Sequence, residues 1–274
     1  MKRSILFQLS SLLALFLFLT GCSSLDNVQQ TSKYGKKMEF VLEGEGAPTL
    51  VFETGLGPEM DTWDTILDSL AQHTRVYAYN RPGYGNSNLK DAPKNVTEVA
   101  RQLHANLVAK RVRPPYIVIG HSLGGLYANM FARLYPEETA AVVFIEASHP
   151  EQFEYFKNEQ DLMYLVLTSS IENSQRQYEL DIVHSTSESF REAPDFPDIP
   201  ITVLTAGKPA SLGGKRMREK WLEFQAELAE LSTNSRHIIV EESGHYIHRN
   251  APEQTIAEIL RLFKGANAVQ SNLK

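Results

Sequence analysis

The chain has 274 residues, 42% of them hydrophobic, enough for one large domain with an ample core and no need of a second. Its net charge is −6 and no basic stripe appears along it, which argues against a nucleic-acid partner. A single cysteine, Cys22, excludes an internal disulfide.

Met1-Lys2-Arg3 is a basic start, Ile5 to Leu19 is apolar apart from Gln8, Ser10 and Ser11, and Leu19-Thr20-Gly21-Cys22 closes the run. A spanning helix needs ~20 apolar residues for the ~30 Å hydrocarbon core, so this run is too short. It reads as a signal peptide over residues 1–21. The ending resembles a bacterial lipobox, in which cleavage before the cysteine leaves a lipid-modified N-terminus. That resemblance implies an acylated Cys22, a domain outside the cytoplasm in a bacterial cell envelope, and a membrane as partner through the anchor. Residues 22–36 are polar and aperiodic, and are expected to be a flexible tether.

Met38–Leu42 and Thr49–Glu53 read as strands, the second apolar enough to be covered on both faces. It runs into Thr54-Gly55-Leu56-Gly57-Pro58, where glycines beyond a strand's carboxyl end let main-chain amides approach a ligand. A helix is expected from Asp64 to Leu70, with Trp63, Ile66, Leu67 and Leu70 on one face. Arg75–Tyr79 is a strand, Asn80–Ser87 a turn-rich loop, and Val96–Lys110 an amphipathic helix.

The centre of the pattern is Tyr116-Ile117-Val118-Ile119-Gly120-His121-Ser122-Leu123-Gly124-Gly125-Leu126. A β-branched run stops at Gly120, and Leu126, Met130, Phe131 and Leu134 follow at helical spacing, so Ser122 crowns a strand-to-helix turn. Glycines two residues to either side give the backbone room to fold that tightly. Ala141–Ile145 is the next buried strand, and this alternation predicts crossover units and a mostly parallel, doubly wound α/β sheet. Residues 148–198 break the rhythm with clustered aromatics, which predicts a small helical cap inserted after the sixth strand, at about 149–198. Ile201–Thr205, a helix over Gly214–Leu231, a strand over Arg236–Val240 and a helix over Thr255–Phe263 complete a domain of residues 37–266, with 267–274 as a tail.

A serine hydroxyl is a poor nucleophile near neutral pH and needs a base with an orienting carboxylate. Of eight histidines, His245 in Ser243-Gly244-His245-Tyr246 lies beyond the carboxyl end of the last strand, the edge where ligands bind in open parallel sheets. His248 is its rival, and His121 is expected to point off the catalytic face. For the acid, Thr205–Ser211 offers no carboxylate, whereas Glu146 ends the preceding strand in the chain order Ser122, Glu146, His245. Glu241 and Glu242 are the alternatives. The N–H groups of Leu56 and Leu123 are the expected oxyanion donors. No ligand cluster has metal spacing, and neither metal nor cofactor is expected.

These residues resemble the α/β-hydrolase superfamily over about residues 38–264. The likeness rests on Gly55-Leu56-Gly57, Arg81-Pro82-Gly83-Tyr84-Gly85-Asn86-Ser87, Gly120-His121-Ser122-Leu123-Gly124-Gly125, and Gly244-His245 with Pro252 downstream. It implies the fold, the cap and an acyl-enzyme mechanism on a small ester-like substrate with an apolar portion. The chain departs from the family in lacking an acid after the seventh strand. Some members carry it after the sixth, which matches Glu146. Members that open epoxides or displace halide use an aspartate nucleophile, and Ser122 speaks against both. Acyl transfer, amide or carbon–carbon hydrolysis on the same residues, and a catalytically silent ligand-binding surface lipoprotein, are the rival readings.

Overall fold

The computed structural model describes residue 25 and residues 27–33, 36–172, 177–208 and 214–272, so the leader and Cys22 lie outside the described residues. The strands are β1 (Gln29–Lys33), β2 (Lys36–Glu43), β3 (Thr49–Glu53), β4 (Val76–Tyr79), β5 (Tyr116–His121), β6 (Thr139–Ile145), β7 (Ile201–Ala206) and β8 (Ser235–Val240). They form one sheet in the order β1-β2-β4-β3-β5-β6-β7-β8. β2 pairs antiparallel with β1 and β4, and the other neighbours run parallel. Every residue of β3, β4, β5 and β7 is buried, because helices cover both faces and the strands need apolar side chains on each.

Alternation along each strand sorts these side chains into two cores. Val51, Tyr77, Val118, Val142, Phe144 and Val203 face α2 (Val96–Ala109) and α3 (Leu123–Leu134). Leu50, Phe52, Ile117, Ile119, Val143 and Leu204 face α1 (Asp64–Ala71) and the last helix, α9 (Pro252–Asn272). Between β6 and β7 the chain forms the expected helical excursion: α4 (Gln152–Glu159), α5 (Asp161–Glu172) and α6 (Tyr178–Arg191). α7 (Gly214–Ala229) and the short α8 (Ile247–Asn250) complete the α-helices among the described residues.

The structure differs from the sequence reading at both ends. Within the expected tether, Gln29–Lys33 form an edge strand paired with Lys36–Phe40. Gln-Gln-Thr-Ser-Lys offers no apolar stripe, so main-chain pairing holds it and periodicity gives no sign of it. The closing helix runs to Asn272 rather than Phe263, taking in most of the expected tail.

Candidate active site

The strand β5 hands the chain to a turn that only small residues fit. A Cβ on Gly120 would lie 2.4 Å from the Gly124 carbonyl oxygen, and one on Gly124 would lie 2.2 Å from that of Glu53. Between them Ser122 takes φ 51° and ψ −122°, a conformation that belongs to glycine at the first central position of a type II′ turn. The turn is bolted to the end of β6: Ser122 N–H donates to Ile145 O at 3.1 Å, and Ser148 N–H donates to Ser122 O at 2.9 Å. Leu123 opens α3, and an amide in a helix's first turn has no acceptor within the helix. Ser122 is half-buried, and backbone strain of this kind clusters at active sites and ligand clamps.

The loop after β3 faces this turn. A Cβ on Gly55 would sit 3.1 Å from Ser122 Cβ and 3.2 Å from His121 Nδ1, so glycine there lets the loop lie flat against the serine. Leu56 is the next residue of this loop.

The loop after β8 brings in the histidines. His121 Nε2–H donates to the main-chain carbonyl of His245 at 2.9 Å, and the two rings are 4.7 Å apart. His121 is buried and packs against the loop that carries His245. His248 is wholly buried, hydrogen-bonded to Thr62 Oγ1 at 3.0 Å, with its ring 4.4 Å from that of Trp63. Burial first, then the charge of Arg249, pushes its pKa down to about 3. It therefore braces the loop from beneath. His245 keeps contact with water, which tempers the desolvation that lowers its pKa.

Glu146 is 6% exposed and sits at φ 43° directly after β6. Its N–H donates to Leu204 O at 2.7 Å, and its Oε2 accepts from Ala206 N–H at 2.7 Å. Burial raises its carboxyl to about 7, against the pull of that amide and of Arg218. Among the described residues no hydrogen bond joins Glu146 to His245 or the His245 ring to Ser122. Glu241 and Glu242 are exposed, and Glu242 pairs with Lys208 at 3.1 Å. Among the described residues no cluster of histidine, cysteine, aspartate or glutamate is disposed to hold a metal.

The sequence reading passed over a buried polar group behind the facing loop. Arg81 is 1% exposed and Glu53 and Glu179 are not exposed at all, with Arg81 Nη2 3.0 Å from Glu179 Oε1 and Nη1 3.7 Å from Glu53 Oε2. Tyr79 Oη–H donates to Glu53 Oε1 at 2.6 Å. Arg81 and Tyr84 stood out in the chain as members of the Arg81–Ser87 motif, but nothing local marks the arginine as buried.

A mostly parallel sheet covered by helices on both faces, with a helical insertion between its sixth and seventh strands, is the architecture of an α/β hydrolase. The chain belongs to the alpha/beta hydrolase fold family, whose model matches residues 48–190. Uncharacterized protein YqjL of Bacillus subtilis (strain 168) is 22% identical over 77% of this chain and 81% of its own length. A pimeloyl-[acyl-carrier protein] methyl ester esterase of Klebsiella pneumoniae (strain 342) is 33% identical over 105 residues, a stretch that spans 38% of each chain. The solved structure of a thermophilic esterase from Thermogutta terrifontis superposes with a TM-score of 0.62 at 16% identity, covering 87% of this chain and 97% of that one.

Proposed function

We propose that the protein is a serine hydrolase that cleaves a carboxylic ester, or a related acyl bond, of a small substrate with an apolar portion. The observation that carries this reading is the serine hydroxyl raised at φ 51° on the turn between β5 and α3, with Gly55 laid against it. Ser122 Oγ attacks the carbonyl carbon while its proton passes to His245. The amides of Leu56 and Leu123 receive the oxyanion, each donor being worth about 3 kcal/mol of barrier. As the alcohol leaves, His245 returns the proton to it, and the acyl group stays on Ser122. Water then attacks, giving its proton to His245, and the acid departs with Ser122 restored. Glu146 orients the imidazole and offsets its transient charge. The hydrogen bonds from His245 to Ser122 and Glu146 close in the substrate complex, since catalytic hydrogen bonds tighten on binding. A lowered pKa keeps His245 neutral and able to act as a base at neutral pH. The esterase relative from Klebsiella supports an ester as the substrate class.

A fluorophosphonate probe tests this directly. The folded wild type takes up the probe and Ser122→Ala does not, with p-nitrophenyl butyrate turnover lost in parallel. Retained turnover in Ser122→Ala, or a folded wild type that the probe leaves unlabelled, overturns the reading.

We also propose that the domain works in a bacterial envelope, held to a membrane by lipid on Cys22. The support is the apolar leader that closes on the chain's sole cysteine. Cells fed an alkynyl fatty acid should label the wild type and leave Cys22→Ser unlabelled; an unlabelled wild type refutes the anchor.

A further inference from the structure

The loop facing Ser122 must present an N–H toward the oxyanion, and a loop rich in glycine does not by itself decide which way its peptides face. Arg81 decides it here. Its Nη2 donates to Gly55 O at 2.8 Å, and its Nη1 donates to Thr54 O at 2.8 Å and to Thr54 Oγ1 at 2.7 Å. One planar guanidinium thus grips two successive carbonyls of the loop. The Gly55 carbonyl and the Leu56 N–H belong to one rigid trans peptide, so they point in opposite directions. Drawing that carbonyl back onto Arg81 turns the Leu56 N–H away from it. The next amide is already engaged, because Gly57 N–H donates to Tyr84 Oη at 3.0 Å.

The guanidinium is held in turn by the cap. Glu179, near the start of α6, accepts from Arg81 Nη2 at 3.0 Å, and both its oxygens lie within reach of Tyr84 Oη, at 3.0 and 2.8 Å. Tyr178 Oη–H adds a bond to Pro82 O at 3.0 Å. The Tyr84 and Tyr127 rings flank the guanidinium at 4.8 and 5.0 Å. Burying Arg81 with two carboxylates is a poor way to gain stability, since desolvation offsets most of the attraction and apolar side chains of equal volume would serve as well. What the charged group supplies is direction.

We propose that Arg81, Tyr84 and Glu179 are positioning residues through which the cap helix α6 sets the orientation of the Leu56 peptide opposite Ser122. The inference rests on Ser122 being the nucleophile, and makes cap docking and transition-state stabilisation one event.

The test compares Tyr84→Phe, Glu179→Gln and Arg81→Lys with wild type and with Ser122→Ala. The readouts are p-nitrophenyl butyrate kinetics, melting temperature, and inhibition by a trifluoromethyl ketone, whose adduct carries the oxyanion. Misplacing a catalytic group slightly costs about 10- to 100-fold, so kcat should fall about tenfold or more in each variant while KM stays within about twofold. The inhibition constant should weaken by the same factor as kcat/KM, which a merely structural role would not produce. If Arg81→Lys does not fold, the two isosteric variants decide. Folded Tyr84→Phe and Glu179→Gln with wild-type kcat, or losses confined to KM with unchanged inhibition, overturn the proposal while leaving Ser122 in place. Turnover retained in Ser122→Ala removes the nucleophile itself, and the proposal with it.

Discussion

His121 donates through Nε2 to the main-chain carbonyl of His245 at 2.9 Å, tying the residue beside the strained serine to the loop that follows β8. The bond fixes the tautomer, because a carbonyl can only accept, so the proton is on Nε2. The other ring nitrogen, Nδ1, is buried without a hydrogen-bond partner. Burial, reinforced by His248 and His245, lowers the ring's pKa and keeps it neutral. His121→Phe preserves the ring and deletes the donor. We expect a stability loss of about 1 kcal/mol for the orphaned carbonyl, together with a kcat/KM reduced at least tenfold as the His245 loop loosens. Thermal melts and ester kinetics on one preparation check both. Wild-type kinetics in the destabilised variant would show that the tie serves folding alone.

Ser122 holds a backbone conformation that only glycine adopts freely, and such strain costs about 1 to 3 kcal/mol. Ser122→Gly therefore raises the melting temperature while abolishing ester turnover, a pairing that an ordinary surface serine would not give. A lower melting temperature would mean that the turn is relaxed.

Much of this turn was legible in advance because its cause is local. The switch from strand to helical periodicity and the two crowded glycines, Gly120 and Gly124, lie within a few residues of each other. Contacts made across long sequence separations leave no such trace. Arg81 meets Glu179 across 98 residues, and neither has a neighbour that marks it as buried. β1 escaped for a different reason: an edge strand of polar residues has no apolar face to read. For His121, strand alternation gives the side of the sheet but not what returns to cover it, here a loop 124 residues further on.

Glu146→Gln separates catalysis from stability at one position. The amide is isosteric and can still accept from Ala206 N–H, but it cannot offset an imidazolium, and kcat should fall by two or more orders of magnitude. The carboxyl is raised from 4.5 to about 7 in the fold. The unfolded chain therefore ionises first, and the wild type loses stability as pH rises from 4.5 to about 7, remaining lower above it. The variant lacks that loss. Its melting temperature at pH 8 should equal or exceed that of the wild type, and near-wild-type turnover would hand the orienting role to another carboxylate.

The pH–rate profile reports on the base. Desolvation lowers the pKa of His245 from 6.5, so the acid limb of kcat/KM should turn below pH 6.5, with a neutral, competent imidazole at every higher pH. An inflection above 6.5 would place a stabilising negative charge beside the ring and overturn the lowered pKa.

His248 should govern much of the response to acid. Its pKa is 6.5 in the unfolded chain and about 3 in the fold, so between these values the unfolded state holds a proton that the native state refuses. Its contribution is fully present above pH 6.5 and is lost as the pH falls toward 3, at about 1.4 kcal/mol per unit. Among the described residues the ring meets Thr62, Trp63, His121 and Tyr246, and the charges named in its shift, Arg249 and then His245, both lower it further. His248→Gln removes the titration and can retain a hydrogen bond to Thr62. The melting temperature of the wild type should therefore fall more steeply than that of the variant between pH 6.5 and 4.5, even if the variant is less stable at pH 8. Parallel curves would move the acid sensitivity to His121 and His149, whose pKa values burial also lowers.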